Sequence, residues 1–394
     1  MRRLSLICLL APLLLLTELV TSAPSGPPQD NHRRSSKSLR LKTRRVNKPA
    51  LRRRQDDSGD EFLATTGWDP KEFQYEISVG FGTPLQDILL VIDTGSSDTW
   101  AFPPDLCSIT PGCFWSFDPD QSSTYELVSK DAFTIEYEEG TTVASGDFFT
   151  DTLSFESGVQ VDDVQLGLAT AITGNLSWGV MGLGFDTGES KPLYPNLIDM
   201  LVKSGTIDTP LFSLWSSLIG PDSGGFILFG DVDETAYKGD ITWRPMVADE
   251  DGTYKDYLIT LTGWGTTASP SKQLTTVSVN VDLLLDSGTT NIVLPPDMYN
   301  SLVGYLPFTV ANRNVDCTVP PGSVDFYFGD DLKISIPFQS LVLPTPGAAT
   351  GCAWGMEPAK DGDWLILGDT FLQNAYVAYD LANYRYGIAP TNYG

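Results

Sequence analysis

The same local pattern occurs twice in this chain. Ile88-Leu89-Leu90-Val91-Ile92-Asp93-Thr94-Gly95-Ser96-Ser97 returns in altered form as Val281-Asp282-Leu283-Leu284-Leu285-Asp286-Ser287-Gly288-Thr289-Thr290. Each copy is an apolar run that reads as a buried strand, closed by a carboxylate, a small hydroxyl, a glycine and another hydroxyl. A carboxylate at that point sits at the lip of a core. The glycine permits a sharp turn and close backbone approach, while hydroxyls and backbone N–H groups can hold the carboxylate in one orientation. One such loop makes a turn; two can face each other.

Asp-Ser/Thr-Gly alone is only a good turn. It occurs also at Asp57-Ser58-Gly59, Asp186-Thr187-Gly188 and Asp222-Ser223-Gly224. Those three lack the unbroken apolar run before the Asp and the hydroxyl pair after the Gly. Ordinary residue usage puts one Asp-Ser/Thr-Gly-Ser/Thr in a chain of this length at roughly a few in a hundred. Two, each ending a buried strand, carry a strong signal.

The chain divides by charge. Residues 1–23 read as a secretory signal: Arg2 and Arg3, an apolar run from Leu4 to Leu16, then Thr21-Ser22-Ala23. The run is too short and wrongly flanked for a membrane span. Residues 24–54 hold eleven Lys and Arg against one acid, Asp30, whereas residues 55–394 hold twelve bases against 48 acids. A basic tail can mean nucleic acid. On an exported chain with so acidic a body, a propeptide with a processing site at Arg52-Arg53-Arg54 is the better reading. No later run is apolar enough to span a bilayer, and the C-terminus lacks a lipid-anchor tail. Export to the outside is expected, with vacuolar or cell-wall retention as alternatives.

The remaining length suffices for two lobes, each with its own core. Strand patterns dominate, as at Phe133–Tyr137, Gly225–Gly230 and Val324–Phe328. Helical signals are confined to Asn196–Lys203 and Asp297–Val303. The expected fold is mostly β. Cys8 leaves with the signal, so Cys107, Cys113, Cys317 and Cys352 remain, an even number in an oxidising compartment. Their spacing does not suggest zinc. The only histidine, His32, falls in the basic segment. That excludes Ser-His-Asp, Cys-His and His-zinc hydrolysis in a mature body and leaves carboxylates as the acid-base groups.

With its paired strand-Asp-hydroxyl-Gly loops, the chain resembles a pepsin-like aspartic protease of the secreted, fungal zymogen type. Tyr75-Glu76-Ile77-Ser78-Val79-Gly80-Phe81-Gly82-Thr83-Pro84 matches that family's entry strand. Leu365-Ile366-Leu367-Gly368-Asp369-Thr370-Phe371-Leu372, followed by Ala378-Tyr379-Asp380, matches its end. The resemblance implies a bilobal acid-protease fold, with an N-terminal lobe at 55–240, a C-terminal lobe at 241–394 and the cleft between them. It implies catalysis by Asp93 and Asp286, with Ser96 and Thr289 bonded to the outer carboxylate oxygens. Thr94, Gly95, Ser287 and Gly288 complete the two loops. It further implies disulfides Cys107–Cys113 and Cys317–Cys352, a flap carrying Tyr137 and Gly140, Trp100 bonded to that tyrosine, and an apolar wall with Val91, Phe133 and Leu183. Glu138 stands where many relatives have glycine. Trp178–Gly184 and Leu365–Gly368 resemble the segments that pack behind the catalytic loops.

Asn175-Leu176-Ser177 is a glycosylation sequon. No cofactor or metal is called for. The expected partners are protein or peptide substrates and the chain's own propeptide as inhibitor, with no nucleic acid and a monomeric state. The expected product is a secreted endopeptidase active in acid and favouring large apolar residues around the scissile bond. A catalytically silent secreted binding or inhibitor protein of the same fold is the rival reading. An acidic cell-surface structural protein would explain charge and export but not the paired loops.

Overall fold

The structure, a computed structural model, describes residues 37–55, 61–137, 141–190, 193–216, 224–249, 251–269, 272–344 and 351–392. Within them the protein is built largely from strands. A thirteen-stranded sheet runs from Thr242–Pro245 at one edge to Glu126–Tyr137 at the other, and a seven-stranded sheet contains Leu258–Ser269 and Lys272–Leu285. A small three-stranded sheet completes the second half.

The repeat seen in the sequence is a repeat of topology. Strand Gln86–Asp93 carries Ile88, Leu90 and Ile92 inward at or near zero exposure, as Leu283 and Leu285 are in the other copy. Burial on both faces gives the continuous apolar run. Each run then pairs in parallel with a short apolar segment from far along the chain. Leu90–Asp93 pair with Gly179–Gly182, and Leu284–Leu285 pair with Ile366–Leu367. The two segments that resembled loop backing therefore do lie behind the paired Asp loops.

The division into halves is less clean than the 240/241 boundary suggests. Ala375–Asp380 and Arg385–Pro390, from the end of the chain, join the first sheet beside Leu211–Ser216. At the centre of that sheet Leu39–Arg44, from the basic segment, pairs antiparallel with Gly224–Phe229. Leu39, Leu41 and Thr43 point inward and are buried, while Arg40, Lys42 and Arg44 are exposed on the alternate face.

The main core runs through both halves beneath the paired loops. At its centre Phe212 stacks on Tyr379 at 4.5 Å between ring centroids, and Tyr257 contacts Tyr379 and Phe185 at 4.7 and 5.0 Å. A second cluster, with Trp100, Phe102, Phe133, Phe148 and Tyr194, fills the first half beside the Cys107–Cys113 disulfide. Cys317–Cys352 ties the second half.

Both helices expected from sequence form, as Leu197–Lys203 and Pro296–Gly304. Pro104–Ile109 and Asp369–Leu372 are additional, too short to show periodicity in the sequence. Asn196 caps its helix reciprocally. Its side chain accepts from the Asp199 amide at 3.0 Å, Asp199 accepts from the Asn196 amide at 3.3 Å, and the Asn196 amide group donates to the Gly184 carbonyl at 2.8 Å. Asn196→Ala removes a cap and leaves a buried carbonyl unpaired, so denaturant unfolding should show a loss of about 1–3 kcal/mol. Asn196→Ser keeps the cap and should recover roughly half of it.

Candidate active site

The two strand ends bring Asp93 and Asp286 together. Their carboxyl groups are in hydrogen-bond contact, each residue buried except for a small opening of 7 %. The surroundings are mirrored. Asp93 accepts from the Gly95 amide at 2.8 Å and from Ser96 Oγ at 2.5 Å. Asp286 accepts from the Gly288 amide at 2.7 Å and from Thr289 Oγ1 at 2.5 Å. In each carboxyl, one oxygen thus accepts from the loop's glycine amide and the other from its hydroxyl.

The residue after each Asp ties the loops to one another. Thr94 donates its amide to Ser287 Oγ at 3.1 Å, and Ser287 donates its amide to Thr94 Oγ1 at 2.9 Å. The same hydroxyls then cross over, Thr94 to the Leu285 carbonyl and Ser287 to the Ile92 carbonyl, both at 2.8 Å. Only small hydroxyl residues fit such crossed, fully buried bonds. A longer path links the same strands: Leu183 donates its amide to the Asp93 carbonyl, Tyr257 donates its hydroxyl to the Leu183 carbonyl, and Leu285 donates its amide to the Tyr257 carbonyl.

Glycine is required here by space. A Cβ on Gly95 would lie 2.7 Å from the Asp286 carboxyl, and one on Gly288 would lie 2.6 Å from Asp93 Oδ1. Behind the loops, Gly182 and Gly368 meet the backbone of Ser97–Asp98 and of Thr289 and Asn291 at 2.4–2.6 Å from a built Cβ. Each Asp loop thus rests directly on backbone.

Burial is the larger cause, and the Asp286 charge the second, that raises the Asp93 carboxyl from 3.8 to about 7. The hydrogen bonds from Ser96 and Gly95 oppose this without cancelling it. At mildly acidic pH Asp93 retains a proton. The pair titrates as a unit, so this proton belongs to both carboxyls.

Trp100 donates Nε1–H to the Tyr137 hydroxyl at 3.0 Å, and that hydroxyl also contacts Ser96. Burial, then the Asp93 charge, pushes the Tyr137 phenol well above its ordinary value, so it stays a neutral donor. Val91 lies two residues before Asp93 and packs in the same cluster as Trp100 and Tyr137. The expected wall needs adjustment. Phe133 and Leu183 are completely covered, so they support the cleft from within and do not face it. Gly140, with Glu138 and Glu139, lies outside the described residues, as do Asp57, Asp222 and Ser223. Asp186 begins a short 3-10 turn, as its polar context implied. Asn175 is exposed and Ser177 buried.

A model of the eukaryotic aspartyl protease family matches residues 74–391. The chain belongs to that family. It is an aspartic-type endopeptidase, a hydrolase. It is similar to "Probable aspartic-type endopeptidase opsB" of Aspergillus oryzae, 34 % identical over 88 % of this chain and 74 % of that protein. Barrierpepsin of Saccharomyces cerevisiae is 31 % identical over 82 % of this chain and 61 % of its own length. Rhizopuspepsin-2 of Rhizopus niveus is 30 % identical over 81 % and 79 %. Among solved structures, the aspartic proteinase of Irpex lacteus superposes with a TM-score of 0.65, covering 81 % of this chain and 95 % of that one at 23 % identity. That likeness is one of fold.

Sequence reasoning missed the brace behind the first loop. Asp98 accepts the Tyr194 hydroxyl at 2.7 Å and the Ser190 amide at 2.9 Å, and Ser190 Oγ lies 2.9 Å from Asp98 and 2.5 Å from the Thr134 carbonyl. The Asp93 loop of the enzyme is thereby tied to the strand that carries Tyr137. Beside it, Glu189 accepts the Tyr194 amide at 3.0 Å while its second oxygen is buried without a partner. Burial first, with smaller contributions from neighbouring acids, raises Glu189 from 4.5 to about 9. The folded enzyme therefore holds a proton that the unfolded chain has released. Its contribution to stability is present below pH 4.5 and is lost as pH rises to about 9. Glu189→Gln should flatten the fall in melting temperature from mild acid to alkaline pH. An unchanged slope would place the effect elsewhere.

Proposed function

We propose that this enzyme is a secreted endopeptidase, active in acid, in which Asp93 and Asp286 share one proton and activate a water held between them. The observation that carries this is the contact of two carboxyls with mirrored donors, one holding its proton to about pH 7. The ionised carboxylate takes a proton from the water, whose oxygen attacks the peptide carbonyl carbon. The protonated carboxyl gives its proton to the carbonyl oxygen. The tetrahedral diol collapses as the C–N bond breaks, with a proton passing to the leaving nitrogen. Ser96 and Thr289 fix the outer oxygens, Tyr137 on its hairpin covers the site, and Trp100 orients it. The apolar wall at Val91 suits a large apolar residue beside the scissile bond and favours a dry cleft.

Asp93→Asn and Asp286→Asn should each fold and lose peptide hydrolysis. Melting both variants alongside the parent excludes loss of activity through unfolding. In the parent, kcat/KM should fall as pH rises through about 7, where the shared proton leaves, and again in strong acid, where both carboxyls are neutral. Comparable activity in either variant would overturn the assignment.

The basic segment 24–54 acts, in this reading, as a propeptide latched by charge, on a chain led to export by residues 1–23. Supporting it, Arg44 donates to the wholly buried Glu76 carboxylate at 2.6 Å, and Arg40 donates to Asp233 at 2.6 Å while lying 4.0 Å over the Phe226 ring. Burial works against ionisation of Asp233, but Thr235 and Arg40 outweigh it and hold the carboxyl below its usual range. A depressed value contributes stability at neutral pH that is lost as pH falls through it. Acid thus loosens the strand, and glycosylation at the exposed Asn175 is compatible with the same export route. In full-length protein, Arg40→Ala with Arg44→Ala should let conversion to a shorter form begin at higher pH, read by N-terminal sequencing of the products. Conversion at the parental pH would remove the latch.

A further inference from the structure

Asp256 is an acid that neither the catalytic arrangement nor the latch uses. It lies in Asp251-Gly252-Thr253-Tyr254-Lys255-Asp256-Tyr257, a polar stretch that reads as a surface turn. The structure puts it at the dyad. Leu258 pairs with Leu284, and the Leu285 amide donates to the Tyr257 carbonyl at 3.1 Å. Carried one step further, this antiparallel register sets Asp256 opposite Asp286. Directly opposed residues of an antiparallel pair project from the same face, with Cβ atoms about 5 Å apart. The Tyr257 side chain, next in sequence, goes the other way, into the aromatic core, where it bonds to Leu183.

The charge balance leaves Asp256 unmatched. Lys255 places its amine 3.4 Å from both Asp249 and Asp251 and so is engaged with them. Among the described residues Asp256 makes no side-chain hydrogen bond and no ion pair, although it is half-buried. Burial is the main cause that raises its carboxyl to about 6; Asp249 and Asp286 add to this, and Lys255 partly offsets them. Half-buried carboxylates without a partner are costly to keep ionised. A cation arriving from outside would relieve that cost.

We infer that Asp256 is a specificity-determining residue of this protease, whose carboxylate receives the lysine or arginine side chain of a substrate residue flanking the scissile bond. An extended substrate advances about 3.3 Å per residue. A group one cross-strand step from Asp286 is therefore within reach of a long side chain one or two residues from the bond being cut. The apolar wall at Val91 and this acid then act on different substrate positions. The inference rests on the protease reading above and deepens it.

The test uses the acid-activated full-length protein and a matched peptide series with an apolar scissile pair. Lys, Arg, Leu or Glu is placed in turn at each of the two residues on either side. Above pH 6, at one position, kcat/KM for Lys and Arg should exceed that for Leu by about tenfold, the scale of one charge-assisted hydrogen bond, and Glu should be the poorest. Asp256→Asn should bring the Lys-to-Leu ratio to about one, with the Leu peptide cut within about twofold of the parental rate. Asp256→Lys should reverse the order of Lys and Glu. Because Asp256 must be ionised to attract a cation, the parental ratio should shrink as pH falls below about 6. Absence of a preferred basic position, or a preference that survives in Asp256→Asn, overturns the inference while hydrolysis itself stands. No cleavage of any peptide, or full cleavage by Asp93→Asn, overturns the protease reading and this one with it.

Discussion

Two carboxyl groups held in contact are the constraint from which the rest of this structure follows. At ~4 Å and an effective dielectric near 20, two like charges repel by ~4 kcal/mol. The pair avoids most of that by keeping one proton, but it must still be prevented from moving apart. The crossed bonds of Thr94 and Ser287 do this from below, and Gly95 and Gly288 make room for it. The four donors to the two carboxyls come from the loops themselves, and neither loop can shift without disturbing its counterpart.

The loops borrow their rigidity from what lies behind them. Gly182 and Gly368 let a backbone from elsewhere in the chain press against each turn, and parallel pairing anchors that backbone to the strand which delivers the acid. Through Leu183, Tyr257 and Leu285 a second path of hydrogen bonds joins the strand of Asp93 to that of Asp286. The distance between the acids is thus fixed by contacts beneath the loops, which suits a site depending on preorganised groups.

What could be read in the sequence was what is local. An apolar run, a carboxylate, a hydroxyl and a glycine lie within ten residues, so both acid loops and their supporting hydroxyls were legible at once. The disulfides, Trp100 and Tyr137 came through likeness to a family. Contacts made across the fold were not legible. Asp98 meets Tyr194 almost a hundred residues later, and nothing near Asp98 distinguishes it from a turn aspartate. Phe133 and Leu183 show the converse: apolar residues near a cleft look alike in sequence whether they line it or support it, and only strand register decides. Asp256 was hidden by its acidic neighbours, in a stretch whose composition signals solvent.

The place of Leu39–Arg44 in the central sheet bears on how the chain reaches its fold. Its partner strand lies some 180 residues later, and the next strands, Leu211–Ser216 and Ala375–Asp380, come from the middle and the end of the chain. A sheet whose middle is assembled from the start, the centre and the end of the chain has a high contact order, and its closure must wait until the ribosome has released the last strand. While Leu39–Arg44 stays in place, the sheet is held by long-range pairings, so the lifetime of the folded full-length chain is governed by the height of an unfolding barrier as much as by equilibrium stability.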